Sequence, residues 1–184
     1  MKKRLLIFFL LFSLVNDLEA SPQKKIISKF ETVNNLAFNF DQIIGESQET
    51  GNCIVEYSKK IYCKYDSVYN KILVSNGKSL VIKSGKNNQY YRYDLIKTPF
   101  NLILDKKFII DKLKKISGEM VGDKIKFAID DNNTLIDIFF DNSNYDIIGW
   151  KTTDVYNNSV YTNIYNIKYN ILVDKKKFRL PEIN

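Results

Sequence analysis

Catalysis needs an acid–base pair, a nucleophile or a metal ligand, and this chain offers few of each. It contains no histidine and two cysteines, Cys53 and Cys63. Without His there is no Ser-His-Asp or Cys-His triad and no His-ligated metal centre, and two thiols cannot build a four-thiolate zinc site. The acidic candidates are Asp130, Asp131 and Asp141, which stand in the polar runs Asp130-Asp-Asn-Asn133 and Asp141-Asn-Ser-Asn144. Such runs read as turns. Paired carboxylates hydrolyse a glycosidic bond only at a fixed separation, and no partner base accompanies these. The first run also lacks the ligand spacing of a calcium loop. Ser75-Asn-Gly-Lys78 has no Walker-type glycines around it and reads as a hairpin turn. Arg92, among Tyr90, Tyr91 and Tyr93, could stack on a base or sugar, although a strand-surface arginine between aromatics is the commoner arrangement. No catalytic residue, metal site or cofactor is expected, and the chain is not expected to be an enzyme.

The two cysteines lie in the stretch around which the chain is organised, Thr50 to Ile82. Cys53, Val55, Tyr57, Ile61, Cys63 and Tyr65 occupy odd positions, with Asn52, Glu56, Lys60 and Lys64 on even ones. A period of two marks half-buried strands, here a hairpin with both cysteines on one face. A connection of Tyr57, Ser58 and Lys59 would set Cys53 opposite Cys63 and let them bond in an oxidising compartment. A slip of one residue would separate them, and the sequence leaves both states open. Ile72 to Ile82 carries Asn76-Gly77 between two apolar runs and predicts a second hairpin with a type I′ turn.

Twelve Tyr and 12 Phe against 7 Gly and 3 Pro make a β-dominated chain. Met1-Lys-Lys-Arg4 followed by the apolar Leu5–Val15 reads as a signal peptide over residues 1–20, cleaved after Ala20. That apolar run is too short for a bilayer span of about twenty residues. Ser21 follows the cut where a lipoprotein precursor would place Cys, so residues 21–184 are expected to be one exported, soluble domain. The net charge of +7 is almost all lysine, with Arg4, Arg92 and Arg179 the arginines. It reads as a solvated face, with no nucleic-acid partner expected for an exported chain.

The positioning elements follow in order. Ile26, Ile27, Phe30, Val33 and Leu36 recur at helical spacing and predict an amphipathic helix from Pro22 to Asn35. Ala37–Ile43 alternates as a strand, and the polar run Glu46–Gly51 reads as the turn into the first hairpin. Gly85–Asn88 predicts a turn, and Tyr90 to Leu95 a strand. Thr98 suits an N-cap and Pro99 a first helical position for a short apolar helix bearing Phe100, Leu102, Ile103 and Leu104. A second helix is expected over Phe108–Ile116, stopped by Ser117-Gly118. Strands return at Lys124–Asp130, Thr134–Phe140, Tyr145–Asp154 and Val160–Tyr169, the last two joined by a turn at Tyr156–Ser159. The expected architecture is a strongly curved antiparallel meander with helices on its concave side. Its inward face would carry Phe38, Phe40, Val55, Tyr57, Ile61, Cys63, Ile136, Ile138, Phe140 and Trp150. Those side chains either fill one core or line an acyl-chain cavity.

Several of these pieces also carry a likeness. Phe40-Asp-Gln42, the Gly51–Tyr65 hairpin, Ile72–Val81 with Ser75-Asn-Gly-Lys78, Thr98-Pro-Phe-Asn-Leu-Ile-Leu104, Ile138-Phe-Phe-Asp141 and Asp174–Pro181 stand in one order. That order resembles the LolA family, periplasmic carriers of outer-membrane lipoproteins in Gram-negative bacteria. The resemblance implies a mainly β fold, an open half-barrel of about ten to eleven strands, with short helices as a lid on the concave apolar face. It also implies a monomer whose ten inward residues hold acyl chains and whose lid is Phe100, Leu102, Ile103 and Leu104. Its implied partners are acylated lipoproteins, the inner-membrane Lol ABC transporter and the outer-membrane receptor LolB or an equivalent. A periplasmic lipid-binding or sensing module of the same fold, LolB-like or serving envelope assembly, is the alternative. One departure stands out: the cavity arginine that holds the lid in some members aligns with Tyr57 here.

Overall fold

The computed structural model describes residues 20–57, 59–67, 70–84, 89–154 and 158–181. The signal segment up to residue 19, the turn at 85–88 and residues 156–157 of the turn at 156–159 lie outside the described residues. The strands are β1 Asn35–Ile44, β2 Ser47–Glu56, β3 Lys60–Tyr65, β4 Ile72–Asn76, β5 Ser79–Lys83, β6 Tyr90–Asp94, β7 Glu119–Val121, β8 Lys124–Asp131, β9 Thr134–Asp141, β10 Ile147–Thr153 and β11 Ser159–Tyr169. The helices are α1 Pro22–Glu31, α2 Phe100–Ile103 and α3 Lys106–Leu113. Short 3-10 turns run over Leu95–Lys97 and Lys175–Phe178.

All eleven strands pair in one sheet, in the order β6-β5-β4-β3-β2-β1-β11-β10-β9-β8-β7. Every pairing is antiparallel. Neighbouring strands are consecutive in sequence except at the centre, where β1 meets β11 and joins the two halves. β6 and β7 end the sheet without pairing each other, so it is an open half-barrel, and α2 and α3 lie in the connection between those two ends. Leu36, Phe38 and Phe40 on β1, Ile125, Phe127 and Ile129 on β8, and Ile136, Ile138 and Phe140 on β9 are buried at alternate positions. One face is therefore largely apolar, with Ser75, Thr152 and Thr162 buried on it, and it packs on α1, α2 and α3.

Gly51 shows how that face is assembled. It lies between Phe40 and Tyr65 in the register. A Cβ there would stand 2.3 Å from the Lys64 carbonyl oxygen and 2.9 Å from the Phe40 ring. The bare backbone lets Phe40 cross β2 and meet Tyr65 edge-on at 5.1 Å.

The boundaries correct several sequence expectations. The helix expected to reach Asn35 ends at Glu31, because Asn35 already pairs with Glu56. The Glu46–Gly51 run is mostly strand: β1 and β2 pair out to Ile44 and Ser47, with the turn at Gly45 and Glu46. Polar residues at the wet end of a hairpin keep their backbone bonds while their side chains face water, so polarity alone misplaces the turn. In the second hairpin, Ser75 pairs with Leu80 and positive φ falls on Gly77 (+96°), which places Gly77-Lys78 rather than Asn76-Gly77 at the tip. Asn76 instead accepts from the Lys78 and Ser79 amides through Oδ1, at 3.0 Å each. The paired positive φ of a type I′ turn occurs at Asn132 and Asn133, +49° and +64°. The expected Phe108–Ile116 helix runs over Lys106–Leu113, because Asp105 caps it through the Phe108 amide at 3.0 Å. β10 starts at Ile147 rather than Tyr145, whose φ is +63°. The short, exposed β7 carries no alternation and was not expected.

Cys53 and Cys63 face each other in the register and are joined by a disulfide. They stand ten positions apart, so closure of the loop removes about 2–3 kcal/mol of unfolded-state entropy. Replacing both cysteines by Ala should lower stability by about that amount in urea unfolding. Coincident unfolding curves for the oxidised protein and the double variant would contradict this.

Candidate functional site

All ten residues expected on the concave face belong to one interior cluster. Nine are buried, and Tyr57, just beyond β2, is half-buried against them. The same cluster takes in Leu73, Leu80, Ile125, Phe127 and Ile164, which share the alternation of the others but were not singled out from sequence, and Leu36, whose helical spacing with Val33 suggests the N-terminal helix but which lies on β1. Edge-to-face ring contacts tie the two halves together. Phe30 of α1 meets Tyr57 at 5.2 Å on one side and Phe140 at 6.2 Å on the other. Phe140 meets Phe127 at 5.8 Å, and Phe38 meets Trp150 at 6.1 Å. Each such pair contributes about 0.5–1.5 kcal/mol beyond the area it buries. Burial pushes the phenols of Tyr57 and Tyr65 upward, so both stay neutral.

Helix side chains occupy this face. α1 contributes Ile26 and Phe30, and α3 contributes Ile109, Ile110 and Leu113. In the lid segment Ile103 and Leu104 are buried, while Phe100 and Leu102 are half-buried. Two hollows, about 320 Å3 beside Ala128, Ile129, Leu135 and Lys151 and about 610 Å3 beside Asn39, Asn52 and Asn166, with Phe38 and Cys53 also in the lining of the second, lie along the strands.

The polar contacts show which covering helix is the looser. α3 is fastened at several points. Lys106 donates to the carbonyls of Glu31 and Val33 at 3.1 and 2.8 Å, where a cation also complements the end of α1. Gln23 donates to the Leu113 and Ile116 carbonyls, and Lys112 pairs with Asp131 at 2.9 Å. α2 is a single turn, and such a segment has little helical stability of its own. Thr98 does not cap it: its hydroxyl donates back to the Leu95 carbonyl at 2.8 Å, and Pro99 already has helical angles.

What fastens α2 is Lys59. Its Nζ donates to Asn101 Oδ1 at 2.9 Å and pairs with Asp105 Oδ2 at 3.1 Å, the carboxylate that caps α3. Lys59 stands in the β2–β3 turn in the left-handed region, φ +65°. Its carbonyl accepts from the fully buried Ser75 hydroxyl at 3.0 Å. The turn is thereby braced against β4 and points its ammonium at the lid. Tyr57, where an arginine was noted as missing, touches α1 through Phe30. The cation that meets the lid lies two residues further on. Sequence gave little warning of it, because a lysine in a polar turn has no signature.

The other candidates have local partners. Asp141 accepts from Ser143 and Asn144; the Ser143 hydroxyl foremost, then the two amides, hold its carboxyl below the usual range. Arg92 donates to Ser79 Oγ. Among the described residues no three His, Cys, Asp or Glu side chains are grouped to hold a metal ion.

Residues 31–181 match the model of the family described as outer membrane lipoprotein carrier protein LolA. No curated protein matches the sequence. Among solved structures the chain is similar to an uncharacterized conserved protein from Thermus thermophilus, with a TM-score of 0.51 and 7% identity over 87% of this chain and 93% of that one. It is also similar to a LolA superfamily protein from Nitrosomonas europaea, with a TM-score of 0.46 and 9% identity over 87% and 96% of the two chains. A third likeness is to LprF from Mycobacterium bovis, with a TM-score of 0.44 and 9% identity over 84% and 96%.

Replacing Lys59 with Met should free α2 while leaving the sheet intact. The contact is half-exposed, so global stability should fall by less than about 1 kcal/mol. Amide exchange over residues 100–105 should nevertheless quicken severalfold, and that over β1 and β9 should not change. Unchanged exchange in 100–105 would show that Lys59 does not hold the lid.

Proposed function

The chain belongs to the family of the outer membrane lipoprotein carrier LolA, and from that premise we propose that it is a periplasmic carrier holding lipoprotein acyl chains on its concave face. In this reading it is exported through residues 1–20 and accepts lipoproteins from the inner-membrane Lol ABC transporter. It then delivers them to LolB or an equivalent outer-membrane receptor. It acts as a monomer, with no covalent step and no cofactor. The observation that carries the reading is the concave face itself, apolar from β4 to β10 and covered by a helical turn fastened through one ammonium.

The energetics follow from competition for that face. Each acyl methylene removed from water contributes about 0.8 kcal/mol. An entering chain must first expel Phe100, Leu102, Ile103 and Leu104, and a fully buried side chain of this kind is worth about 1.5–3 kcal/mol. Net affinity is the difference between the two. Cargo shifts the lid from closed to open, and the lid returns as cargo leaves. A carrier needs that balance, since cargo bound by the full apolar area would not transfer. Lys59 adjusts it, because its contacts exist only when the lid is closed.

The test incubates the exported protein with spheroplasts making labelled lipoproteins. The expected result is release of lipoprotein into a soluble one-to-one complex, with a change in emission from Trp150, which packs against Phe38. Cysteines placed at Lys59 and Asn101 and joined by a short thiol cross-linker should abolish uptake. Release that survives the cross-link, with Trp150 emission unmoved, would contradict lid displacement. Uptake of acyl lipid without any release from spheroplasts would favour a lipid-binding or sensing module without a shuttle role.

A further inference from the structure

Beyond β11 the chain runs along the surface until Phe178 is buried against β3 and β4. Asn170, with φ +50°, donates its amide to the Asn35 carbonyl at 2.9 Å. Its side chain accepts from the Asn34 amide at 2.7 Å and donates to the Thr32 carbonyl at 3.0 Å. The Asn35 side chain brackets Ile171, accepting from its amide at 2.9 Å and donating to its carbonyl at 3.1 Å. These bonds fix the segment against the junction of α1 and β1. On it stands Leu172, 101% exposed. A lone exposed leucine is ordinarily unremarkable; this one is held out by a bonded backbone on both sides of Asn170.

The next turn is as firmly placed. Lys175–Phe178 packs against β3 and β4, with Phe178 buried outside the concave cluster. Lys177 lies over the outward Tyr62 ring at 5.3 Å, and Lys175 pairs with Glu56. Between positions 168 and 179 stand Lys168, Lys175, Lys176, Lys177 and Arg179 against one acid, Asp174. Asp174 accepts from the Lys176 amide at 2.9 Å. An exposed aliphatic side chain beside a cluster of cations is complementary to an anionic bilayer surface. The apolar group enters the headgroup–acyl boundary, and each nearby lysine gains on lipid phosphates.

We propose that residues 171–179 dock the protein on an anionic membrane, with Leu172 entering the interface and Lys176, Lys177 and Arg179 over the lipid phosphates. This deepens the carrier reading. The docking segment shares its end of the molecule with the lid fastening: Asn34, held by Asn170, accepts the Tyr57 amide at 3.0 Å, and Val33 accepts Lys106. Docking would bring the lid beside the bilayer that supplies or receives the acyl chains.

The test uses protein recovered from the periplasm of an expression host. It is sedimented with vesicles of pure phosphatidylcholine and with vesicles one-third phosphatidylglycerol. Binding is expected to the second kind alone, falling as salt is raised. Lys176→Gln with Lys177→Gln should weaken it about tenfold or more, and Leu172→Ser severalfold, with the thermal midpoint unchanged. An environment-sensitive dye on Leu172→Cys should shift to the blue on anionic vesicles. Equal binding to both vesicle kinds, undiminished binding in the variants or an unmoved dye would overturn the proposal. Wild-type protein that takes up an acyl probe yet ignores anionic vesicles would defeat the docking alone and direct the basic segment to an acidic protein. Protein that binds the vesicles but never the probe would defeat the carrier reading alone.

Discussion

Eleven strands present a largely apolar concave face, and the sheet does not close on itself. The three helices answer to the need to cover that face. A second sheet would give a sandwich with a permanent core. Here the cover is three short helices, with Phe30 of α1 spanning the trough from Tyr57 to Phe140. The helices do not reach the edges. Tyr91 and Tyr93 on β6 pair with the inward-facing Ile82 and Leu80, and Met120 on β7 pairs with the buried Ile125; all three are about half exposed. Apolar surface therefore continues from the interior past the cover to both open ends of the sheet.

The cover is graded in strength. α1 and α3 are stitched to each other and to the β8–β9 turn by Lys106, Gln23 and Lys112. α2 rests on its own side chains and on Lys59. Hydrophobic contact sets how strongly the lid closes, and a half-exposed ion pair adds a small, adjustable increment. The disulfide lies directly beneath this arrangement. By joining β2 to β3, Cys53–Cys63 fixes the hairpin whose tip presents Lys59. Ser75, buried on β4, fixes the carbonyl of the same residue.

Much of this was legible in sequence because the signal was periodic. Alternation at Cys53, Val55, Ile61 and Cys63, and again at Ile136, Ile138 and Phe140, marks the inward face without ambiguity, since a strand has only two faces. The placing of Cys53 and Cys63 on one face followed from that alternation, whereas their direct facing depended on a register the sequence left open. Contacts between elements distant in sequence were hidden. Nothing local says that Lys59 reaches Asn101 and Asp105, that Asn170 clasps Asn34, or that a three-residue β7 ends the sheet. Turn tips were also misplaced at Glu46–Gly51 and Asn76-Gly77, where side-chain polarity and the Asn-Gly pair outweighed the backbone pairing. In the candidate site, the composition of the face was readable, whereas its fastening depended on long-range geometry.

The central claim is that acyl chains replace lid side chains on the concave face. The most direct measurement is photo-cross-linking with a triacylated lipopeptide carrying a diazirine along one acyl chain, followed by mapping of the labelled residues. The predicted result is labelling of inward residues such as Ile138, Phe140 and Trp150, with Lys59→Met raising the yield. Labelling confined to the outward residues Tyr62, Val81 and Phe139, or a pattern indifferent to Lys59, would contradict it.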